Sequence, residues 1–268
     1  MCELFSLSGR QPTVATITLQ RFAARGGLDH RLIDGWGLAL FDERDLRLYR
    51  EPEPARDSAW LEYVQSRRIA SHILISHIRH ATRGAVMLAN TQPFVREIAG
   101  RMHCFAHNGR LPSIELRHTL GPSMFHPLGD TDSEYAACLL FRDIARLWSS
   151  REAPPLRDRL QVVVRFAAQM RELGPANFLY SDGVTLFAHG HQRTQADGHI
   201  APPGLCRLHR SCAVDRDALV QAGVHLDTPN GPQALTLFAS VPLTDEPWEP
   251  LQEGEVIAVE KGVALVGH

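Results

Sequence analysis

The order in which strand-like and helix-like segments follow one another constrains the fold of this 268-residue chain most. Short apolar runs with many β-branched residues, such as Ser71–Ile78 and Val256–Val259, predict strands on both sides of the middle of the sequence. Two stretches between them carry apolar residues at intervals of three and four, which is typical of helices. Strands, then helices, then strands favour a layered α+β domain over a parallel, doubly wound sheet.

Turn residues and apolar periodicity place the individual elements. Three hairpins are predicted, namely Gly35–Phe41 with Leu46–Tyr49, Phe94–Ile98 with Met102–Ala106, and Phe178–Tyr180 with Val184–Ala188. Further strands are predicted at Cys2–Ser8, Ser71–Ile78, Leu205–His209, Leu235–Val241, Val256–Val259 and Val263–Val266. Helices are predicted at Ala15–Ala24, from Asp57 or Ser58 to Gln65, from Asp132 or Ser133 onward, and after Pro154-Pro155.

Composition excludes several classes of protein. Lys and Arg number 28 and Asp and Glu number 30, so the charge offers no electrostatic case for a nucleic-acid or membrane partner. No apolar run of about 18 residues is present to span a membrane, and the first residues lack the pattern of a secretory signal. The five scattered cysteines favour a reducing cytoplasm over a disulfide framework.

Cys2 is a candidate nucleophile because of its position. Its side chain is small, so we expect methionine aminopeptidase to remove Met1 and to leave Cys2 as the first residue. A terminal cysteine carries a thiol and a free α-amine with a pKa of about 7.7–8.0. The amine can then act through a water molecule as the base for its own thiol. The alternative is that Cys2 is an incidental second residue.

Three further motifs offer charged or amide groups to a ligand. Arg79, at the predicted end of a strand, presents a planar fork suited to a carboxylate, or it forms a surface salt bridge. Asn108 and Gly109 can supply two N–H donors to a developing oxyanion, or they form an ordinary Asn-Gly turn. The segment Gly129–Glu134 opens a predicted helix, and its carboxylates can bind an ammonium group, cap the helix, or do both.

In this order and spacing, the motifs resemble the class II glutamine amidotransferase family, whose members are N-terminal-nucleophile hydrolases. The family pattern is a cysteine left first after removal of Met, then Arg-aromatic-Ala-Thr-x-Gly, then His-Asn-Gly, then Thr-Asp-Ser/Thr-Glu. The corresponding residues are Cys2, Arg79–Gly84, His107–Gly109 and Thr131–Glu134, and Asn90–Phe94 resembles the family's Asn-x-His-Pro segment. The chain also resembles stand-alone bacterial members that have no fused synthase domain. The segments that carry this likeness are Met1–Leu4, Asp34–Gly37, Ser181–Gly183 and Pro242–Thr244.

The resemblance implies a role for each matching residue. Cys2 is implied to be the nucleophile and, through its amine, the base. Arg79 is implied to bind the α-carboxylate of glutamine, and Asp132 its α-ammonium group. The side chain of Asn108 and the N–H of Gly109 are implied to form the oxyanion hole. Two neighbouring residues, His80 and Thr82, are implied to line the substrate site.

Three residues depart from the family pattern near the expected glutamine site. His80 follows Arg79 where the family usually has Trp or Tyr. Arg83 stands where His or Thr is common, and Gln92 stands where His is frequent. Because these positions shape the loop around glutamine, they bear on substrate affinity and loop closure rather than on the core reaction.

The resemblance also implies a fold and an activity. The fold is a four-layer α-β-β-α sandwich, with residues 2–268 forming a single amidotransferase domain. The activity is release of glutamate and ammonia from L-glutamine through a cysteinyl thioester, in the cytoplasm and without a cofactor or metal. A separate synthase is the candidate acceptor of that ammonia. The alternatives are hydrolysis of a larger γ-glutamyl amide and a non-catalytic glutamine sensor or accessory subunit.

Two groups of histidines and cysteines remain outside these motifs. Cys206 and Cys212, with His199 and His209 nearby, have a spacing that fits no standard zinc finger, so we expect no metal there. His189 and His191 follow a predicted strand and are expected to be loop residues.

Overall fold

The structure is a computed structural model, which describes residues 2–17, 34–55, 58–80, 83–210, 224–227 and 233–267. Its strands lie where apolar and β-branched residues cluster, as expected for side chains that pack on a pleated surface. In chain order they are β1 (Glu3–Ile17), β2 (Gly35–Asp42), β3 (Asp45–Glu51), β4 (Ala70–Arg79), β5 (Phe94–Ile98), β6 (Arg101–Gly109), β7 (Ala176–Ser181), β8 (Leu186–His189), β9 (Arg193–Thr194), β10 (Ile200–Ala201), β11 (Cys206–Arg210), β12 (Val224–Asp227), β13 (Leu235–Ala239), β14 (Glu249–Pro250), β15 (Val256–Glu260) and β16 (Val263–Gly267).

The described parts of the chain contain four α-helices, which are α1 (Ala59–Ser66), α2 (Ile114–Arg117), α3 (Asp132–Ala145) and α4 (Leu156–Arg171). Side-chain caps determine where two of them begin. The hydroxyl of Ser58 accepts a hydrogen bond from the N–H of Leu61, and that of Thr131 accepts one from the N–H of Glu134. None of these helices has the length and apolar character needed to cross a lipid bilayer.

The strands form two antiparallel sheets and a two-stranded ribbon made of β9 and β10. The first sheet has the order β14-β11-β13-β1-β4-β2-β3, with β12 pairing with the second half of β1. The second sheet has the order β16-β15-β8-β7-β6-β5. Because β1 and β4 are antiparallel, the beginning of β1 lies beside the end of β4, and Glu3 pairs with Ile78.

Apolar side chains between the two sheets form the centre of the sandwich. Leu4 and Ile75 from the first sheet share a buried cluster with Leu179 and Ile257 from the second. On the far side of the second sheet, α3 and α4 contribute to a larger cluster. On the far side of the first sheet, Leu61 and Val64 of α1 pack in a third cluster. The layers are therefore helix, sheet, sheet and helix, which confirms the α-β-β-α sandwich that the family resemblance implies.

All three predicted hairpins are confirmed, as β2–β3, β5–β6 and β7–β8. The prediction of a helix at Ala15–Ala24 is wrong where the structure describes it. Residues 15–17 continue β1 and pair with β12, while residues 18–24 lie outside the described ranges. The β-branched Thr16 and Ile17 suit a strand, and β12 supplies the backbone partners that no local pattern reveals.

The interpretation of Asn108-Gly109 as an ordinary turn is also wrong. Both residues belong to β6, where Asn108 lies opposite Asn177 of β7 and Gly109 lies opposite Ala176. A Cβ atom added to Gly109 would lie 1.9 Å from the carbonyl oxygen of Pro175, so close backbone packing requires glycine here. The motif thus lies at the end of a strand that is paired on both sides, by β5 and β7.

Candidate active site

The thiol of Cys2 lies at the junction of β1 and β4. The residue directly precedes β1, and its Sγ atom accepts a hydrogen bond from the N–H of His80 at 3.3 Å. Burial raises the pKa of this thiol, although the hydrogen bond from His80 and the charge of Arg79 partly oppose that effect. A thiol held mostly protonated needs a base before it can attack, so the geometry requires a proton acceptor close to the sulfur.

Asn108 lies directly beside the nucleophile candidate. Its Nδ2 atom donates a hydrogen bond to the main-chain oxygen of Cys2 at 2.6 Å and lies 3.4 Å from the hydroxyl oxygen of Ser240. The backbone oxygen of Asn108 in turn accepts a hydrogen bond from the side chain of Asn177 at 3.1 Å. The two contacts of Nδ2 orient the side-chain amide, and the bond from Asn177 holds the main chain of Asn108, so the amide is positioned as a hydrogen-bond donor.

Arg79 ends β4 and is only 3% exposed, so the surface salt-bridge interpretation is wrong. Its Nη2 atom donates to the carbonyl oxygens of Arg83, Gly84 and Ala85 at 3.1–3.3 Å. Its Nη1 atom is buried and has no hydrogen-bond partner among the described residues. A buried guanidinium group with one unused edge is suited to receive a carboxylate, because the charge is otherwise costly to bury.

Asp132 is the first residue of α3 and is buried. Its Oδ2 atom accepts the N–H of Leu111 at 2.8 Å, and its Oδ1 atom accepts the N–H of Ser133 at 2.9 Å. Thr131, and not Asp132, is the residue that caps the helix. Oδ1 also lies 3.5 Å from the hydroxyl of Ser133, whereas Oδ2 keeps a further lone pair, so these bonds orient the group and leave Oδ2 able to accept from an ammonium.

Asn90 connects the segment after Arg79 with the segment before Asp132. Its Nδ2 atom donates to the carbonyl oxygen of Ala85 at 3.0 Å and to the carboxylate of Asp130 at 2.6 Å. Its Oδ1 atom accepts the N–H of Asp130 at 3.0 Å. These bonds link the segment after Arg79 to Asp130, two positions before Asp132.

The departures from the family pattern occupy different environments. The ring of His80 lies 3.8 Å from the carboxylate of Asp34, while its backbone N–H contacts Cys2. Arg83 forms a 2.7 Å ion pair with Glu115 on the surface. Gln92 is buried and exchanges two hydrogen bonds with the backbone of His107, so it supports the strand that carries Asn108. Thr82 lies outside the described residues.

Glu3, Arg193 and Ser240 adjoin the site, but sequence analysis did not single them out. Glu3 and Arg193 form a buried 2.8 Å ion pair, and Ser240 lies next to Asn108. A glutamate at the start of an apolar strand was the one signal that the sequence offered, since an acid is rarely buried without a partner.

Among the described residues, no three potential ligands come together in a way that could hold a metal ion. Cys206 is buried in the cluster beneath α1, and Cys212 lies outside the described ranges. The expectation that His189 is a loop residue is wrong, since it ends β8 with no exposed surface, whereas His191 follows that strand.

Comparison with known proteins places this chain among relatives of similar length. The family described as class II glutamine amidotransferases matches residues 1–267. The protein YafJ of Escherichia coli K12 is 32% identical over 256 residues, which cover 95% of this chain and 96% of YafJ. The crystal structure of a predicted glutamine amidotransferase from Pseudomonas aeruginosa PA01 has a TM-score of 0.69 at 29% identity and covers 99% of this chain and 100% of that one.

More distant structures show the fold alone. A Bacillus subtilis glutamine phosphoribosylpyrophosphate amidotransferase superposes with a TM-score of 0.61 at 17% identity, and the match spans 49% of that longer chain. The order of motifs, the four layers and the full-length family match agree. The chain belongs to the class II glutamine amidotransferase family.

Proposed function

We propose that the protein releases glutamate and ammonia from L-glutamine, with Cys2 as the nucleophile. The observation that carries the proposal is the 2.6 Å hydrogen bond from Asn108 Nδ2 to the main-chain oxygen of Cys2. It supports a geometry in which an amide donor and a thiol lie side by side. That is the arrangement needed for attack on a carbonyl whose oxygen becomes negative.

The reaction requires removal of Met1, because only then does Cys2 carry a free α-amine. The amine takes the thiol proton through a water molecule, and the sulfur attacks the side-chain carbonyl carbon of glutamine. The second N–H of the Asn108 amide and the N–H of Gly109 stabilise the oxyanion. Proton transfer back to the amide nitrogen releases ammonia and leaves a γ-glutamyl thioester. Water then attacks the thioester, which releases glutamate and restores the thiol.

Recognition of the glutamyl group rests on charge. The unused Nη1 edge of Arg79 receives the α-carboxylate, and the oriented carboxylate of Asp132 receives the α-ammonium. His80 and Thr82 line the same site in this proposal. Because these contacts address only the α-carbon end, the same pocket accepts a larger γ-glutamyl amide if its leaving group has room outside.

The experiment is an assay of glutamate release from protein whose intact mass shows loss of Met1. L-Glutamine and a series of γ-glutamyl amides are the substrates, and L-asparagine is the control that lacks one methylene. Turnover of any γ-glutamyl substrate but not of asparagine supports the proposal. Absence of turnover in mature protein, with glutamine binding detected by calorimetry, favours the sensor alternative. A separate synthase that accepts the ammonia is the partner this activity would serve.

A further inference from the structure

A buried ion pair lies immediately behind the proposed nucleophile. Glu3, the residue after Cys2, has no exposed surface, and its Oε1 atom lies 2.8 Å from Nη2 of Arg193. The side chain of Arg193, in β9, is itself only 4% exposed. Burial raises the pKa of Glu3 to about 7 even though Arg193 favours the ionised carboxylate. Burying two charges is costly, so such a pair often adds little to the free energy of unfolding. Its position next to Cys2 therefore calls for another explanation.

The pair connects to Asn108 through Ser240. Nη1 of Arg193 donates to the carbonyl oxygen of Ser240 at 2.7 Å. The hydroxyl of Ser240 accepts the N–H of Leu4 at 2.9 Å and lies 3.4 Å from Nδ2 of Asn108. Nδ2 of Asn108 in turn donates to the main-chain oxygen of Cys2. This chain of contacts therefore reaches both Cys2, the proposed nucleophile, and Asn108, the proposed oxyanion donor.

The strand pairing of β1 differs between its two sides at the end near Cys2. On one side, β4 pairs with β1 from Glu3 onward. On the other side, the pairing with β13 begins only at Phe5. Cys2 and Glu3 thus lack a regular strand neighbour on that side. Beside this end of β1, Arg193 pairs with the Glu3 carboxylate, and Ser240 accepts the N–H of Leu4.

We infer that Glu3 and Arg193 are positioning residues for the Cys2 nucleophile. They hold the first residues of β1 against Ser240, so that the thiol keeps its place relative to Asn108. This inference rests on the proposed function for its effect on turnover. Displacing a nucleophile by a fraction of an ångström to an ångström lowers the rate of the chemical step, while Arg79 and Asp132 still bind the glutamyl group.

The test compares Glu3→Gln and Arg193→Met with a matched control. The control is Asp182→Asn, which removes the charge from the equally buried 2.7 Å pair of Asp182 with Arg159. Asp182 follows the end of β7 opposite to Ala176, the residue that pairs with Gly109, so it is remote from Cys2. Arg193→Lys retains the charge and is the conservative variant. Melting temperature and circular dichroism are recorded for all four.

Two readouts separate positioning from a purely structural role. The first is kcat and KM for the best γ-glutamyl substrate. Glu3→Gln and Arg193→Met are expected to lose roughly tenfold or more in kcat with little change in KM. Arg193→Lys is expected to lose less kcat than Arg193→Met. Asp182→Asn is expected to keep the wild-type kcat even if its melting temperature falls.

The second readout is the rate at which iodoacetamide alkylates Cys2, located by peptide mass spectrometry. This rate needs no turnover, so it tests the positioning role even if the mature wild-type protein hydrolyses no γ-glutamyl amide and the proposed function fails. A changed alkylation rate in Glu3→Gln and Arg193→Met, but not in Asp182→Asn, supports the inference. Wild-type kcat and alkylation rate in both site variants, with only the melting temperature lowered, would overturn it.

Discussion

Nδ2 of Asn108 lies 2.6 Å from the main-chain oxygen of Cys2, although the two residues are 106 positions apart in the chain. One N–H of the amide is used in this contact, and the other faces Ser240 at 3.4 Å, a long and therefore weak hydrogen bond. The shorter bond orients one N–H of the amide. The other N–H can exchange its weak contact with Ser240 for a hydrogen bond to a substrate oxygen at little cost in free energy. This fits the role that we propose for Asn108.

Replacing Cys2 by Ala is expected to abolish glutamate release and to leave the fold intact. The sulfur makes its hydrogen-bond contacts only with the backbone of His80 among the described residues, so its loss removes little packing. The other cysteines that the structure describes are buried elsewhere and cannot replace it. The measurement is single-turnover glutamate release with the melting temperature as control. Substantial turnover by a natively folded Cys2→Ala protein would exclude Cys2 as the nucleophile.

Keeping a residue in front of Cys2 is expected to inactivate the enzyme without disturbing the site. The α-amine becomes a peptide nitrogen and loses its basicity, whereas the Cys2 carbonyl oxygen keeps its bond to Asn108. An N-terminal extension that resists the aminopeptidase, verified by intact mass, tests this directly. Full activity of the extended protein would mean that another group takes the thiol proton.

Arg79→Ala and Asp132→Ala are each expected to weaken use of L-glutamine. Each loses one charge-assisted hydrogen-bonded contact of about 1.5–3 kcal/mol. That corresponds to roughly 10- to 150-fold in kcat/KM. Arg83→Ala is the matched control, because Arg83 is close in sequence but pairs with Glu115 at the surface. If the control loses as much kcat/KM as Arg79→Ala, the effect comes from the loop and not from carboxylate binding.

The free energy of unfolding is expected to fall as the pH is lowered from 7 to 5. Burial lowers the pKa of His77 and His189 to about 3 and that of His103 to about 4. These rings stay neutral in the folded state, whereas the unfolded chain protonates them below about pH 6.5. Each therefore costs about 2 kcal/mol of stability at pH 5, and the loss grows down to the folded pKa.

Glu3 acts in the opposite direction over the same range. Its pKa is raised to about 7, so the folded state takes up a proton before the unfolded state does and gains about 2 kcal/mol between pH 7 and pH 5. The three histidines outweigh this, and a net loss remains. Urea unfolding at pH 7 and pH 5 measures it. His189→Gln should show a smaller loss than the wild type, and an identical loss would show that His189 is not titrating.

Local sequence was sufficient for elements whose partners are close in the chain. The β7–β8 hairpin follows from Ser181-Asp182-Gly183, because the turn and both strands lie in one short stretch. The predicted helix is wrong at residues 15–17 because β12, the partner of these residues, is a distant segment. The candidate site motifs each had an ordinary structural alternative, and their order and spacing pointed to a site through resemblance to a family. Ser240, 132 positions from Asn108, could not be found, since a lone serine carries no pattern.

Asn108→Ala is expected to lower kcat by about 10²–10³ with a much smaller change in KM, because charge develops on the substrate oxygen only as Cys2 attacks. Asn108→Asp should be worse, since a carboxylate repels the oxyanion.

Iodoacetamide alkylation of Cys2 forms no oxyanion, so it should slow much less than turnover in Asn108→Ala. Equal losses in both rates would instead indicate that Asn108 acts by holding the Cys2 carbonyl. Asn108→Gly removes the side chain from a paired strand position, and wild-type kcat in that variant would remove Asn108 from the reaction altogether.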